Sequence, residues 1–250
     1  MSCRILVAGA TGVIGRRLVP LLVEAGHHVV GMGRRAPGNG GFRGAEFVAA
    51  DVFDAASVAR VVSGARPDVI IHQLTDLAGF GDPAAYADAI KRNARIRAEG
   101  TRNLVSAARA ANVPRIVAQS IAWVYAPGPI PHAEEDSLDL EASELRLTTI
   151  RGVAALEDAV LRTPGIVGTV LRYGQLYGPG TGKDTPNGSA PLHVDAAAFA
   201  ALLAVQHRAE GIFNVAERGG DVTTDKAESV LHWSADMRIE QSGVNVDRSR

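Results

Sequence analysis

The segment Gly9-Ala10-Thr11-Gly12-Val13-Ile14-Gly15 constrains this chain more than any other. It follows the apolar run Ile5-Leu6-Val7-Ala8 and precedes an amphipathic pattern over 13–25, so it reads as strand, tight turn and helix. Each glycine has a physical reason in that setting. A side chain on Gly9 obstructs the turn, one on Gly12 holds the backbone away from an anion, and one on Gly15 separates helix from strand. Backbone N–H groups at the positive end of the helix dipole then make a seat for a diphosphate. The spacing is G-x-x-G-x-x-G rather than G-x-G-x-x-G. The expected ligand is a dinucleotide, held by Gly9, Thr11, Gly12, Val13, Ile14 and Gly15.

The rest of the chain alternates short apolar runs with longer helical patterns. Strands are expected over 4–8, 28–32, 46–49, 68–72, 115–119, 166–171 and 212–215. Helices are expected over 13–25, 55–63, 83–111, 143–161, 195–205 and 224–231, with loops at 36–41 and 177–191. Such alternation means parallel strands joined by right-handed crossovers. The fold class is therefore α/β, a Rossmann-type doubly wound parallel sheet with helices on both faces. The reading takes 1–250 as a single NAD(P)-binding domain, with a core over about 1–175 and a small C-terminal substrate lobe over about 176–250.

Charge and composition narrow the partners. Lys and Arg total 26 against 27 Asp and Glu, a net charge of -1, and aromatic residues are only 5%. Neither nucleic acid nor a membrane surface suits that balance, which leaves a small-molecule substrate. Cys3 is the single cysteine, which excludes an internal disulfide and suits a reducing compartment. The first apolar run is broken by glycines and closed by Arg16-Arg17, unlike a secretion signal, so a cytoplasmic location is expected. No metal is invoked.

The end of the second strand bears on the cofactor. An acid there bonds the ribose hydroxyls of NAD(H), but this chain has Gly33 followed by Arg34 and Arg35. Guanidinium groups suit a 2′-phosphate, so NADP(H) is the expected cofactor, with NAD(H) as the alternative.

Further stretches carry a resemblance. GATGVIG at 9–15, AADVFD at 49–54, DVIIHQLT at 68–75 and EGTRNLVSAARAANVPRIVAQS at 99–120 occur in that order. WVYAPG at 123–128, LRYGQLYGPG at 171–180 and LHVDAAA at 192–198 follow. The chain resembles the extended or atypical short-chain dehydrogenase/reductase superfamily, in its NAD-dependent epimerase/dehydratase branch. The resemblance implies that Asp51 and Val52 bracket the adenine and that Gln73 and Leu74 line the cofactor. It also places Arg172 and Tyr173, with His193 and Asp195, beside the substrate region, and makes dimerisation through the helical patterns at 83–111 and 143–161 an expectation.

The catalytic positions depart from that family. Thr149 stands where the family has its Tyr, Val153 where it has its Lys, Ile121 at the usual Ser position and Arg97 where a helix Asn is common. A threonine hydroxyl does not ionise usefully near neutrality. The remaining candidates are Ser120, to hydrogen-bond a substrate oxygen, and Tyr125 or Tyr173 as a displaced proton donor; Tyr177, His132 and Lys183 are further groups. Three functions stay open. One is an NADP(H)-dependent oxidoreductase acting on a small carbonyl or hydroxyl compound with a non-standard catalytic set. The others are a sugar-nucleotide epimerase or dehydratase, and a non-catalytic NADP(H)-binding sensor or scaffold.

Overall fold

A computed structural model describes residues 2–38, 41–77 and 80–240. Asn39 and Gly40 of the expected 36–41 loop lie outside them, as do residues 241–250 of the expected lobe. Seven strands form one parallel sheet: β1 (Arg4–Ala8), β2 (His28–Gly33), β3 (Ala45–Ala49), β4 (Val69–His72), β5 (Arg115–Ile121), β6 (Val167–Tyr173) and, last in sequence, β9 (Gly211–Val215). Their order is β3-β2-β1-β4-β5-β6-β9, the doubly wound arrangement with a seventh strand at its far edge. The order reverses between β1 and β4, and there a crevice opens at the carboxyl ends of the strands.

Strand sequences with no polar alternation make sense once both faces are covered. Ile5 and Val7 enter one core while Leu6 and Ala8 enter the other, and Val117 is separated in the same way from Ile116 and Ala118. The first core is closed by α1 (Val13–Glu24) and the alanine-rich α6 (Val194–Gln206), which pack on each other. The second is closed by α2 (Ala55–Ala65), α4 (Thr101–Ala110) and α5 (Glu144–Leu161). Asp54 caps α2, its carboxylate accepting from the Ser57 N–H at 2.9 Å.

Two regions differ from the sequence expectation. The pattern over 83–111 is not one helix. It divides into α3 (Tyr86–Arg95), a π-turn (Ile96–Gly100) and α4. The wider turn buries Ile96, Arg97 and Gly100 together, and a side chain on Gly100 would meet Val52 at 3.1 Å. The expected loop over 177–191 carries strand residues at both ends. Gln175–Tyr177 (β7) and Pro191–His193 (β8) pair in parallel as a separate two-stranded ribbon. Beyond residue 175 the chain also supplies β9 to the main sheet and α6 to one face, before α7 (Asp225–Leu231). Among the described residues no helix is long and apolar enough to cross a membrane.

Candidate active site

The turn after β1 has the geometry its glycines require. Gly9 takes φ +92°, and a Cβ there would stand 2.6 Å from the carbonyl oxygen of Gln73, at the end of β4. A Cβ on Gly15 would fall 2.2 Å from the Gly9 oxygen, so the helix lies directly on the turn. The Gly9 N–H donates to Met32 O at 2.9 Å, which ties the turn to β2. The Gly12 N–H is itself used, donating to Gly9 O at 2.9 Å. The next amides, of Val13 and Ile14, begin a helix end that no side chain caps.

A cleft of about 490 Å³ opens over this turn. Of the residues expected to hold a cofactor, Gly9, Thr11, Gly12, Arg34, Arg35, Asp51, Val52, Gln73 and Leu74 line it. Val13 lines the neighbouring cavity instead, and the Ile14 side chain is buried in the core, so neither of these two lines the cleft. Gly15 stands behind the turn as a spacer. Arg34 and Arg35 are exposed at the end of β2. The sequence reading missed Arg16, Arg92, Arg95 and Phe53, which also line the cleft. Arg16 donates to Thr11 O at 2.8 Å, and Arg95 lies 4.0 Å over the Phe53 ring while bonded to Glu99. An arginine every few residues along an exposed helix could have signalled this, but only with the helix placed on the cleft.

Thr75 also borders a second cavity, of about 570 Å³. Leu77, Phe80, Tyr86 and Trp123 give it apolar walls and are themselves substantially exposed. Its polar lining includes Asn93, Arg97, Gln119, Ser120, Thr149 and Lys183. Thr149 thus stands on the cavity wall, while Val153, one turn further along α5, is buried in a small apolar cluster.

Behind this lining runs a buried polar network. Ser120 Oγ donates to Glu157 Oε1 at 2.8 Å. Arg172 grips the same carboxylate with two bonds, Nε to Oε1 at 2.9 Å and Nη2 to Oε2 at 2.7 Å. Its remaining nitrogen donates to the Tyr125 hydroxyl at 2.8 Å, and Tyr125 donates to Asn214 Oδ1 at 2.6 Å. Tyr125 therefore does not reach the cavity: its hydroxyl is occupied on both sides, and burial raises its pKa. Tyr173 does line the cavity, yet its hydroxyl donates to Ala197 O at 3.0 Å and burial pushes its pKa up strongly. Tyr177 bonds to Glu217, and His132 stacks on Tyr125 while pairing with Asp136 at 2.9 Å; neither lines the cavity. Of the three expected catalytic groups Ser120 and Tyr173 line the cavity, and the Ser120 hydrogen points at Glu157.

Arg97 is the side chain whose weight sequence reasoning underestimated. It is 6% exposed, lines the cavity, and makes no hydrogen bond or ion pair with another described residue. Burial draws its pKa down to about 10, opposed by the nearby Glu157, so it stays cationic at neutral pH. His72 at the end of β4 is held neutral, its pKa lowered to about 4 by burial and then by Arg97.

Comparison with known proteins agrees with this architecture. A 3-diazoavenalumate denitrifying reductase from Streptomyces is 42% identical over 256 residues, covering 92% of this chain and 79% of the relative. A UDP-glucose 4-epimerase from Brucella ovis, solved with NAD, superposes with TM-score 0.70 at 19% identity, over 92% of each chain. The enzyme WbmG of Bordetella bronchiseptica, also solved with NAD, gives TM-score 0.70 at 19% identity over 96% of this chain and 91% of its own. The family model for the NAD dependent epimerase/dehydratase family matches residues 5–199. This chain belongs to the NAD dependent epimerase/dehydratase family.

Proposed function

We propose that the chain is a nicotinamide-dinucleotide-dependent reductase that replaces a diazo group on an aromatic ring by hydrogen. The observation that carries this reading is the inner end of the second cavity. It adjoins the glycine-turn cleft, yet its tyrosine hydroxyl is engaged by a backbone carbonyl and Thr149 and Val153 occupy the usual Tyr and Lys positions. The 42% identical relative, a denitrifying reductase, supports the same reaction class.

The cleft fits the cofactor. The turn is closed to side chains at Gly9 and Gly15, uncapped amides follow, and Arg34 and Arg35 line the cleft at the end of β2, where they would hold a 2′-phosphate. NADP(H) is accordingly preferred over NAD(H). Val52 and Asp51 would flank the adenine, and Gln73 and Leu74 the inner part of the cofactor. When bound, the cofactor supplies a hydride.

The protein's own groups decide what that hydride can be used for. Carbonyl reduction leaves an alkoxide that must be protonated, which is the task of a tyrosine of lowered pKa. Hydride replacing the diazo group of an aryl diazonium forms one C–H bond, breaks one C–N bond and releases dinitrogen. No alkoxide arises, so the lost pair is not needed. Ser120 lines the cavity with its hydroxyl hydrogen donated to Glu157, so it has no proton to give an alkoxide.

The reading is tested by supplying the purified chain with NADPH and an ortho-diazophenol. NADPH consumption equal to the arene formed, above an enzyme-free control, is expected. Reduction of a carbonyl panel with no diazo turnover would overturn it. A second reading, 4-epimerisation of a sugar nucleotide, draws on the 28% identity to a probable UDP-glucuronate 4-epimerase of Rhizobium meliloti. It requires the missing pair, and formation of a 4-keto sugar would revive it.

A further inference from the structure

We propose that Arg97, on the π-turn between α3 and α4, is an anchor for an anionic oxygen of a flat aromatic substrate in the second cavity. The proposal deepens the reductase reading and rests on it for the role of that cavity.

A buried cation is costly unless it is paired. Nearby, Glu157 is the carboxylate able to compensate Arg97, but both its oxygens are already taken by Arg172 and Ser120. Arg172 and Glu157 neutralise one another, and His72 is neutral. Arg97 is left as a surplus positive charge, less than a tenth exposed, on a cavity wall. An arriving anion would supply the pairing that the fold withholds.

The π-turn explains how the charge comes to be there. Consecutive residues address the two spaces: Ile96 lines the cofactor cleft, and Arg97 lines the second cavity. Arg97 is absent from the lining of the cofactor cleft, so a cofactor phosphate is not its partner. The shape of the ligand follows from the other walls. Phe80, Tyr86 and Trp123 are aromatic and partly exposed on the cavity wall, whereas Arg97 and Asn93 supply groups able to donate. A planar aromatic carrying a carboxylate or a phenolate meets both requirements, the guanidinium fork accepting either oxygen.

The test uses binding alone, without hydride transfer. Trp123 lines the cavity, and the other tryptophan, Trp233, is buried and bonded to Ala196 O, so intrinsic fluorescence reports cavity occupancy. The full chain is titrated with cinnamate and with neutral cinnamamide, and then with 4-nitrophenolate against nitrobenzene. For at least one pair the anion should bind about tenfold more tightly than its neutral counterpart, a factor near 1.4 kcal/mol. Arg97→Gln should abolish the preference while leaving the ligand-free thermal midpoint equal or higher, because an unpaired buried charge is removed. If Arg97→Gln does not fold, Arg97→Lys serves: it keeps the charge but loses the fork, and the preference should shrink. No preference in the wild-type chain, or an undiminished one in folded Arg97→Gln, overturns the proposal. So does loss of the preference in Lys183→Gln with Arg97 intact. If anion preference holds while diazo turnover is absent, the site stands and the reductase reading falls.

Discussion

Ser120 and Glu157, 37 residues apart, meet through a 2.8 Å hydrogen bond in which the serine gives its proton to the carboxylate. That direction is forced, since an ionised carboxylate only accepts. The bond uses the serine's one hydrogen, so none is left to give to a substrate oxygen. The same carboxylate anchors Arg172, so cavity chemistry and fold stability share one residue.

Glu157→Gln should therefore be severe. It leaves the Arg172 guanidinium buried beside a neutral amide, and loss of one partner of such a pair costs about 3–5 kcal/mol. Ser120→Ala removes a single bond from a carboxylate that Arg172 still holds, so about 1 kcal/mol is expected. Urea unfolding of both variants measures the contrast, and equal losses would contradict the network as described.

Gly9→Ala tests the turn. The new methyl meets the Gln73 carbonyl at 2.6 Å in a left-handed backbone conformation, so strain and overlap act together. A loss of about 3 kcal/mol is expected, with nucleotide binding weakened in whatever folds. A variant as stable as the wild type, with unchanged NADPH affinity by calorimetry, would contradict it.

Stability should fall on mild acidification because of His72. Its pKa is about 4 in the folded chain, below its ordinary value of 6.5, so between these values the unfolded chain binds the extra proton. The contribution is full above pH about 6.5 and is lost as pH falls towards about 4, a total of about 3 kcal/mol. His72→Gln should flatten that part of the profile. An unchanged slope in the variant would mean that another group titrates.

Arg34→Ser combined with Arg35→Ser should weaken NADPH binding by about tenfold or more and leave NADH binding nearly unchanged, since the serines remove charge that only a 2′-phosphate uses. Parallel titrations with the two nucleotides check this. Equal weakening of both would place the arginines elsewhere in recognition.

Much of this was legible in the sequence because it is local. The apolar runs and the glycine spacing located β1, its turn and α1 without reference to the rest of the chain. The failures are tertiary. Helical periodicity over 83–111 is nearly the same with one wider turn in it, so the π-turn that buries Arg97 left no separate signature. Tyr173 ends β6 and Tyr125 lies in the loop after β5, but the direction of each hydroxyl is set by partners far along the chain, Ala197 for one and Asn214 for the other. β7 and β8, three residues each, were too short to show a period.

The most direct test of the hydride reading is isotopic. The chain is given NADPH carrying deuterium on either face of the nicotinamide C4, together with an aryl diazo substrate in ordinary water. The product should carry deuterium on the ring carbon that bore the diazo group, from one face only. Product with no label from either face would mean that its new hydrogen came from solvent, and would contradict the account.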